Sequence, residues 1–256
     1  NRELDSLIEL GRRYDNVTRL VVGNEAILRA DLTVRELAQY LRQVRKAVNK
    51  PVSTAEPWHV WLRFPELVQE VDFIAVQLLP YWEKVPFEQA VDYVMRRYDE
   101  LRTAYPDKPI LISEVGWPSE GNRVGAAEPS LSHEARFIRR FLNEASDRHI
   151  DYFVMEAFDQ PWKKGIEGSV GAYWGVFSAH REPKFPMSGL IDAPRLGEGG
   201  RLRQIRWLAL IVCALSVLVV AVSAYLRLDA AGLGCTDWPA CYGKVLAGEP
   251  AQLHYG

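Results

Sequence analysis

Two uninterrupted apolar runs narrow the possible folds of this chain most sharply. They are Leu20-Val21-Val22, ahead of Gly23-Asn24-Glu25, and Ile110-Leu111-Ile112, ahead of Ser113-Glu114. A strand with one solvated face alternates apolar and polar residues, whereas a parallel strand covered on both faces reads as a continuous apolar run. Each run also closes on a carboxylate. In a barrel of parallel strands the chemistry sits at the C-terminal strand ends, so Glu25 and Glu114 are expected on one rim.

The rest of the first 192 residues supports that architecture. Strands are predicted at residues 19–24, 51–55, 72–79, 109–114 and 151–158. Thr33-Val34-Arg35-Glu36 is a capping box, and Val34, Leu37, Leu41, Val44 and Val48 follow it at helical spacing. Pro86 opens a helix reaching about Tyr105, another begins near Ser130 or Ser132, and residues 2–14 form an amphipathic helix at the start. Alternating strands and helices imply an α/β fold, either a barrel or an open parallel sheet.

Composition excludes some partners. With 31 Lys+Arg against 33 Asp+Glu the net charge is -2, and no basic stretch in the first 190 residues suggests nucleic acid. Eight tryptophans and eleven tyrosines supply faces that either pack a core or stack on sugars. His59, His133, His149 and His180 are scattered without metal-ligand spacing, so no metal is expected.

Composition changes near residue 195. Residues 207–226 carry no charge, and at a rise of about 1.5 Å per residue twenty residues match a hydrocarbon core about 30 Å thick. This run is predicted to be a transmembrane helix, following a Gly-rich linker at 193–205. Arg201, Arg203 and Arg206 precede it, while Arg227 and Asp229 follow, which places its N-terminal end in the cytoplasm and makes the chain single-pass in a cell membrane. The expected organisation is thus a domain at 1–192, the linker, a helix at 206–227 in contact with membrane lipid, and an extracytoplasmic loop at 228–256.

Three segments carry a family resemblance. Val22-Gly23-Asn24-Glu25, Ile112-Ser113-Glu114-Val115-Gly116-Trp117-Pro118-Ser119 and Glu156-Ala157-Phe158-Asp159-Gln160-Pro161-Trp162-Lys163 resemble those of glycoside hydrolase family 17, particularly its bacterial members. The resemblance implies a (β/α)8 TIM barrel acting with retention on β-1,3-glucan, as hydrolase or glucanosyltransferase, and it implies no cofactor. It makes Glu25 the acid/base and Glu114 the nucleophile, with Asn24 hydrogen-bonding the sugar 2-hydroxyl. Because it equates the Asn24-Glu25 strand with the family's fourth, it leaves about the last five strands in this chain. Five strands cannot close an eight-stranded ring, so a partial barrel truncated at its N-terminus is expected, in agreement with a sequence that begins at Asn1 without methionine.

A retaining enzyme needs two carboxyl groups about 5 to 5.5 Å apart, one protonated and one ionised. Glu114 is expected to raise the pKa of Glu25, and Tyr81 to keep Glu114 ionised by donating a hydrogen bond. Glu56, Tyr81, Trp82, Trp117, Glu156, Trp162 and Lys163 are candidate substrate-binding residues, and Trp174 is a further aromatic expected at the rim. Plant members of the family carry a glutamate at Gln160, a departure that removes one charge from the site.

The tail resembles a second family. Residues 206–243, with the charge-free run followed by Cys235-Thr236-Asp237-Trp238-Pro239-Ala240-Cys241, look like the start of a haem A synthase. That resemblance makes Cys235 and Cys241 disulfide candidates and leaves His254 without a ligand role. Three functions follow: a tethered glucan hydrolase or glucanosyltransferase, a membrane assembly protein of haem A synthesis represented by its first helix, and a non-catalytic glucan-binding module. The cytoplasmic placement given by the arginines conflicts with access to envelope glucan, so the side of the glucanase-like part stays open.

Overall fold

Five parallel strands pair in the order of the chain: β1 (Leu20–Asn24), β2 (Val52–Pro57), β3 (Ile74–Leu78), β4 (Ile110–Val115) and β5 (Asp151–Val154). The computed structural model describes residues 2–186 and 209–222, and the chain divides into two units, Asn1–Gly197 and Glu198–Gly256. In the first unit the strands alternate with α1 (Arg2–Arg13), α2 (Val34–Ala47), α3 (Trp58–Arg63), α4 (Pro65–Val68), α5 (Phe87–Ala104), α6 (Leu131–Asp147) and α7 (Lys164–Glu167). Parallel neighbours need a crossover, and these helices supply it.

Local chemistry explains the helix ends. Thr33 accepts from the Glu36 backbone N–H and the Glu36 side chain accepts from the Thr33 N–H, so the capping box forms as the sequence predicts. Ser130 caps α6 through the His133 N–H, and Pro86 precedes α5. The short helices α3 and α4 carry too few residues for periodicity to register, and the sequence gives no warning of them.

The helix-facing side of the sheet holds the main core, with Leu37, Leu41, Trp61, Ile74, Val76, Leu78, Leu101, Ile112 and Phe137 among its buried residues. The other face carries a small cluster of Ala55, Phe73, Ala75 and Leu111. Strong twist curls the sheet so far that Arg19, just before β1, reaches Asp151 at the start of β5 with a 2.8 Å ion pair. The same guanidinium lies 5.6 Å from the centre of the Phe73 ring. The small cluster is therefore the floor of a bore whose first and last strands face each other.

Register irregularities decide which side chains enter that bore. Val76 pairs with Ile112, but the next β3 residue, Gln77, pairs with Glu114, so β4 carries one extra residue at this level. On β1, Val21 pairs with Ser53 while Asn24 pairs with Ala55. Side chains alternate along a strand, so an extra residue flips the parity beyond it. Without these bulges Asn24 and Glu114 would point at the helices; with them, both stand on the bore side beside Ala55 and Gln77.

In the second unit, residues 209–222 are helical and exposed, and Cys213 is a free thiol. Among the described residues no helix is long and apolar enough to cross a membrane. Both ends of the span expected at 206–227 lie outside the described residues, as do Cys235 and Cys241.

Candidate active site

A cavity of about 750 Å³ opens at the C-terminal ends of the strands, lined by Asn24, Glu25, Gln77, Glu114, Glu156 and Lys163 among others. Glu25 and Glu114, expected on one rim from the strand ends alone, do share it. Glu25 follows β1 directly and has φ +54, a left-handed backbone conformation that a residue with a side chain adopts at a cost of about 1 kcal/mol or more. Its N–H donates to the Ala55 carbonyl at 2.8 Å, which holds the unusual conformation against β2. Gly23 has φ +86, so the turn from strand to loop begins where the missing Cβ makes it cheap.

Glu56 shapes this loop from below. It is fully buried, and its two oxygens accept from Ile27 N–H at 2.8 Å and Leu28 N–H at 3.2 Å. Burial, opposed by those two bonds, pushes its carboxyl up. The substrate-binding role expected for Glu56 is thereby corrected: both oxygens already hold the backbone that follows Glu25.

Glu114 accepts a 3.0 Å hydrogen bond from Gln77 Nε2. Burial pushes its carboxyl up, the Gln77 bond pulls it down, Glu25 raises it and the Lys163 ammonium lowers it. The donor expected from Tyr81 is also corrected. Tyr81 is buried and its hydroxyl donates to the Asn122 carbonyl at 2.7 Å, so it neither touches Glu114 nor lines the cavity.

Of the aromatic candidates, Trp82 lines the cavity with 42% of its surface exposed. Trp174 lies behind it with ring centres 6.0 Å apart, and Tyr81 meets its edge at 4.9 Å. Trp117 and Trp174 are buried, and Trp117 Nε1 donates to the Glu128 carbonyl, so these two pack the structure. Trp162 is well exposed but outside the cavity lining.

Gln160 and Lys163 meet on one carboxylate. Lys163 Nζ pairs with Glu156 Oε2 at 2.7 Å, and Gln160 donates to the same oxygen. Glu167 also lines the cavity, 4.0 Å from Lys163, with its carboxyl pushed up chiefly by burial. Arg29 lies 3.5 Å from Glu25 Oε2 and donates to the Asn24 carbonyl. Sequence reasoning missed Gln77, Arg29 and Glu167. Glu167 and Arg29 sit on a short helix and a loop without periodic signal, and Gln77 reads as an interruption in an apolar strand, which was the one available clue.

Fold and site define the barrel-type α/β class that carries paired carboxylates at its strand C-terminal ends. The chain belongs to the BtgE/BtgC glycoside hydrolase domain family, which residues 1–175 match. It is 27% identical over 188 residues to the glucan 1,3-beta-glucosidase of Schizosaccharomyces pombe, an alignment covering 68% of this chain and 58% of that protein. The glycoside hydrolase family 17 β-1,3-glucanosyltransferase of Rhizomucor miehei superimposes with a TM-score of 0.64 at 34% identity, covering 71% of this chain and 68% of that one. An active-site mutant of the Rhizomucor miehei enzyme in complex with laminaritriose gives 0.65 at 33% identity over the same shares. The chain thus spans about three-fifths of the length of the glucan 1,3-beta-glucosidases it matches, and less of other curated relatives. Residues 206–255 match a different family, described as cytochrome oxidase assembly protein.

Proposed function

We propose that the first unit is the catalytic part of a retaining β-1,3-glucan hydrolase or glucanosyltransferase, with Glu114 as nucleophile and Glu25 as acid/base. The observation that carries this reading is the bulge-directed entry of Asn24 and Glu114 into the cavity that Glu25 also lines. Glu114 attacks the anomeric carbon while Glu25 gives its proton to the departing glycosidic oxygen. Glu25, then ionised, takes a proton from the water or sugar hydroxyl that displaces Glu114. Which acceptor arrives decides hydrolysis or transfer. Trp82, fixed from behind, offers an aromatic face to a glucosyl ring, and Asn24 a donor to its 2-hydroxyl.

Laminarin turnover by the full chain and its variants tests the assignment. Glu114→Ala should abolish turnover and regain it with azide as a glycosyl azide of inverted configuration. Glu25→Ala should lose laminarin but keep substrates with activated leaving groups, which need little protonation. Wild-type turnover of laminarin by either variant sinks the role assigned to that glutamate.

The finer part of the reading is a membrane tether at residues 206–227, with lipid as partner. The charge-free run at 207–226 and the arginines ahead of it support this, as does the match of 206–255 to a cytochrome oxidase assembly family. That match also supports the second reading of the tail, as the first helix and cysteine loop of a haem A synthase-like protein. Impermeant thiol labelling of intact cells separates the possibilities: labelling of Cys235 and Cys241 only after reduction is expected if the helix spans the membrane with its N-terminal end inside. Recovery of the full chain in the soluble fraction removes the tether.

A further inference from the structure

Gln77 is 3% exposed and sits in β3 directly beside Glu114 in the sheet register. Its Nε2 lies 3.0 Å from Glu114 Oε1 and 2.9 Å from Asn24 Oδ1, so one nitrogen serves two acceptors. We propose that Gln77 is a positioning residue that ties the orientation of the Asn24 side-chain amide to the ionised form of Glu114. The inference deepens the reading of Glu114 as nucleophile and rests on it for its meaning in catalysis.

Donor and acceptor chemistry fixes the arrangement. An ionised carboxylate has no hydrogen to give, so the Gln77 atom facing Glu114 has to be the nitrogen. That same nitrogen also faces Asn24, and Asn24 therefore has to present its oxygen. With Oδ1 so held, the two hydrogens of Asn24 Nδ2 are left for an acceptor in the cavity that Asn24 lines. Gln77 Oε1 is buried and has no hydrogen-bond partner among the described residues. Among the described residues no other donor or acceptor fixes the sense of the Gln77 amide, so the carboxylate sets it. A protonated Glu114 can donate, which lets Gln77 turn over and releases Asn24 with it. The charge of the nucleophile is thereby converted into the donor direction of a residue on another strand. Such a device commits the sugar-binding donor only when the nucleophile is ready to attack.

The other groups that act on Glu114 do not carry this orientation. Glu25 and Glu167 raise its carboxyl and Lys163 lowers it through charge alone, while Arg29 is engaged with Glu25 and Glu156 with Lys163. Among the described residues, only Gln77 bridges Glu114 to the Asn24 side-chain amide.

The experiment is an NMR titration of the full chain carrying 13C-carboxyl glutamate and 15N side-chain amides, with Glu114 assigned through Glu114→Gln. In the wild type, the Asn24 side-chain amide signal should shift with the Glu114 midpoint. Gln77→Leu should raise that midpoint by about one pH unit, the worth of a hydrogen bond to a charged group, and abolish the Asn24 response. A residue that merely filled space would leave the midpoint in place in Gln77→Leu. The proposal is overturned by an Asn24 signal that ignores Glu114 in the wild type, a result that needs no variant to fold. It is equally overturned by a Gln77→Leu chain in which Asn24 still follows Glu114. Laminaritriose added to the wild type separates the two layers: if it perturbs neither signal while the titrations behave as stated, the glucan reading fails and the Gln77 coupling stands.

Discussion

Glu134 shows how a single buried carboxyl ties the pH of the solution to the stability of the fold. Lys184 lies 3.2 Å from Glu134 and 2.9 Å from Asp159, and Asp159 also accepts the Gly175 N–H at 3.0 Å. One ammonium thus faces two carboxylates, and Glu134 is almost wholly buried, so the cheaper buried state keeps a proton on Glu134. Its pKa is pushed up to about 8, chiefly by burial. In the unfolded chain the group titrates near its ordinary value of about 4.3. Its contribution is complete below that value and is lost as pH rises through 8. Wild-type melting temperature should therefore fall between pH 5 and pH 9 more steeply than that of Glu134→Gln, which cannot lose the proton. Parallel curves in thermal melts remove the claim. From the sequence Glu134 reads as an ordinary acid in the first turn of a helix. The partners that change its meaning lie 25 and 50 positions further on.

At the level of elements, the loop following β1 is held by its neighbour as much as by its own residues. Glu56 is next to last in β2, where the sequence suggested a rim carboxylate, and both oxygens turn sideways to the Ile27 and Leu28 amides. Replacing it by glutamine sets a donor against one of those N–H groups, at a cost of about 2 kcal/mol. Glu56→Gln should show faster hydrogen exchange at the Ile27 and Leu28 amides and slower laminarin turnover, although Glu56 touches no substrate in the proposed mechanism. Unchanged exchange at those amides would show that the loop stands without it. Strands and long helices were legible because apolar runs, capping residues and periodicity are properties of short windows. The bulges on β1 and β4 were not, because an extra residue is visible only against the partner strand. Placing Glu25 and Glu114 on one rim from strand ends succeeded without that knowledge. Giving Tyr81, Glu56 and Trp117 to the cavity failed because proximity in sequence to a rim does not reveal where a side chain finds its hydrogen bond.

Among the described residues of the first unit, sheet order equals chain order, so every strand pairs only with strands adjacent in sequence. Leu20 meets Val52, Ala55 meets Ala75, Ile74 meets Ile110 and Leu111 meets Asp151, each closing a loop short against the length of the chain. Closing such loops costs little more entropy for one than for the next. Assembly can then run as a succession of local steps, in which each new strand finds its template already laid down. The Arg19–Asp151 pair is the exception, joining positions 132 apart in sequence. It cannot close until the intervening strands have acquired their twist, and it has no part in building them. A pair of dyes at these two positions would therefore report completion, with the approach of residues 19 and 151 trailing every other signal in a refolding time course.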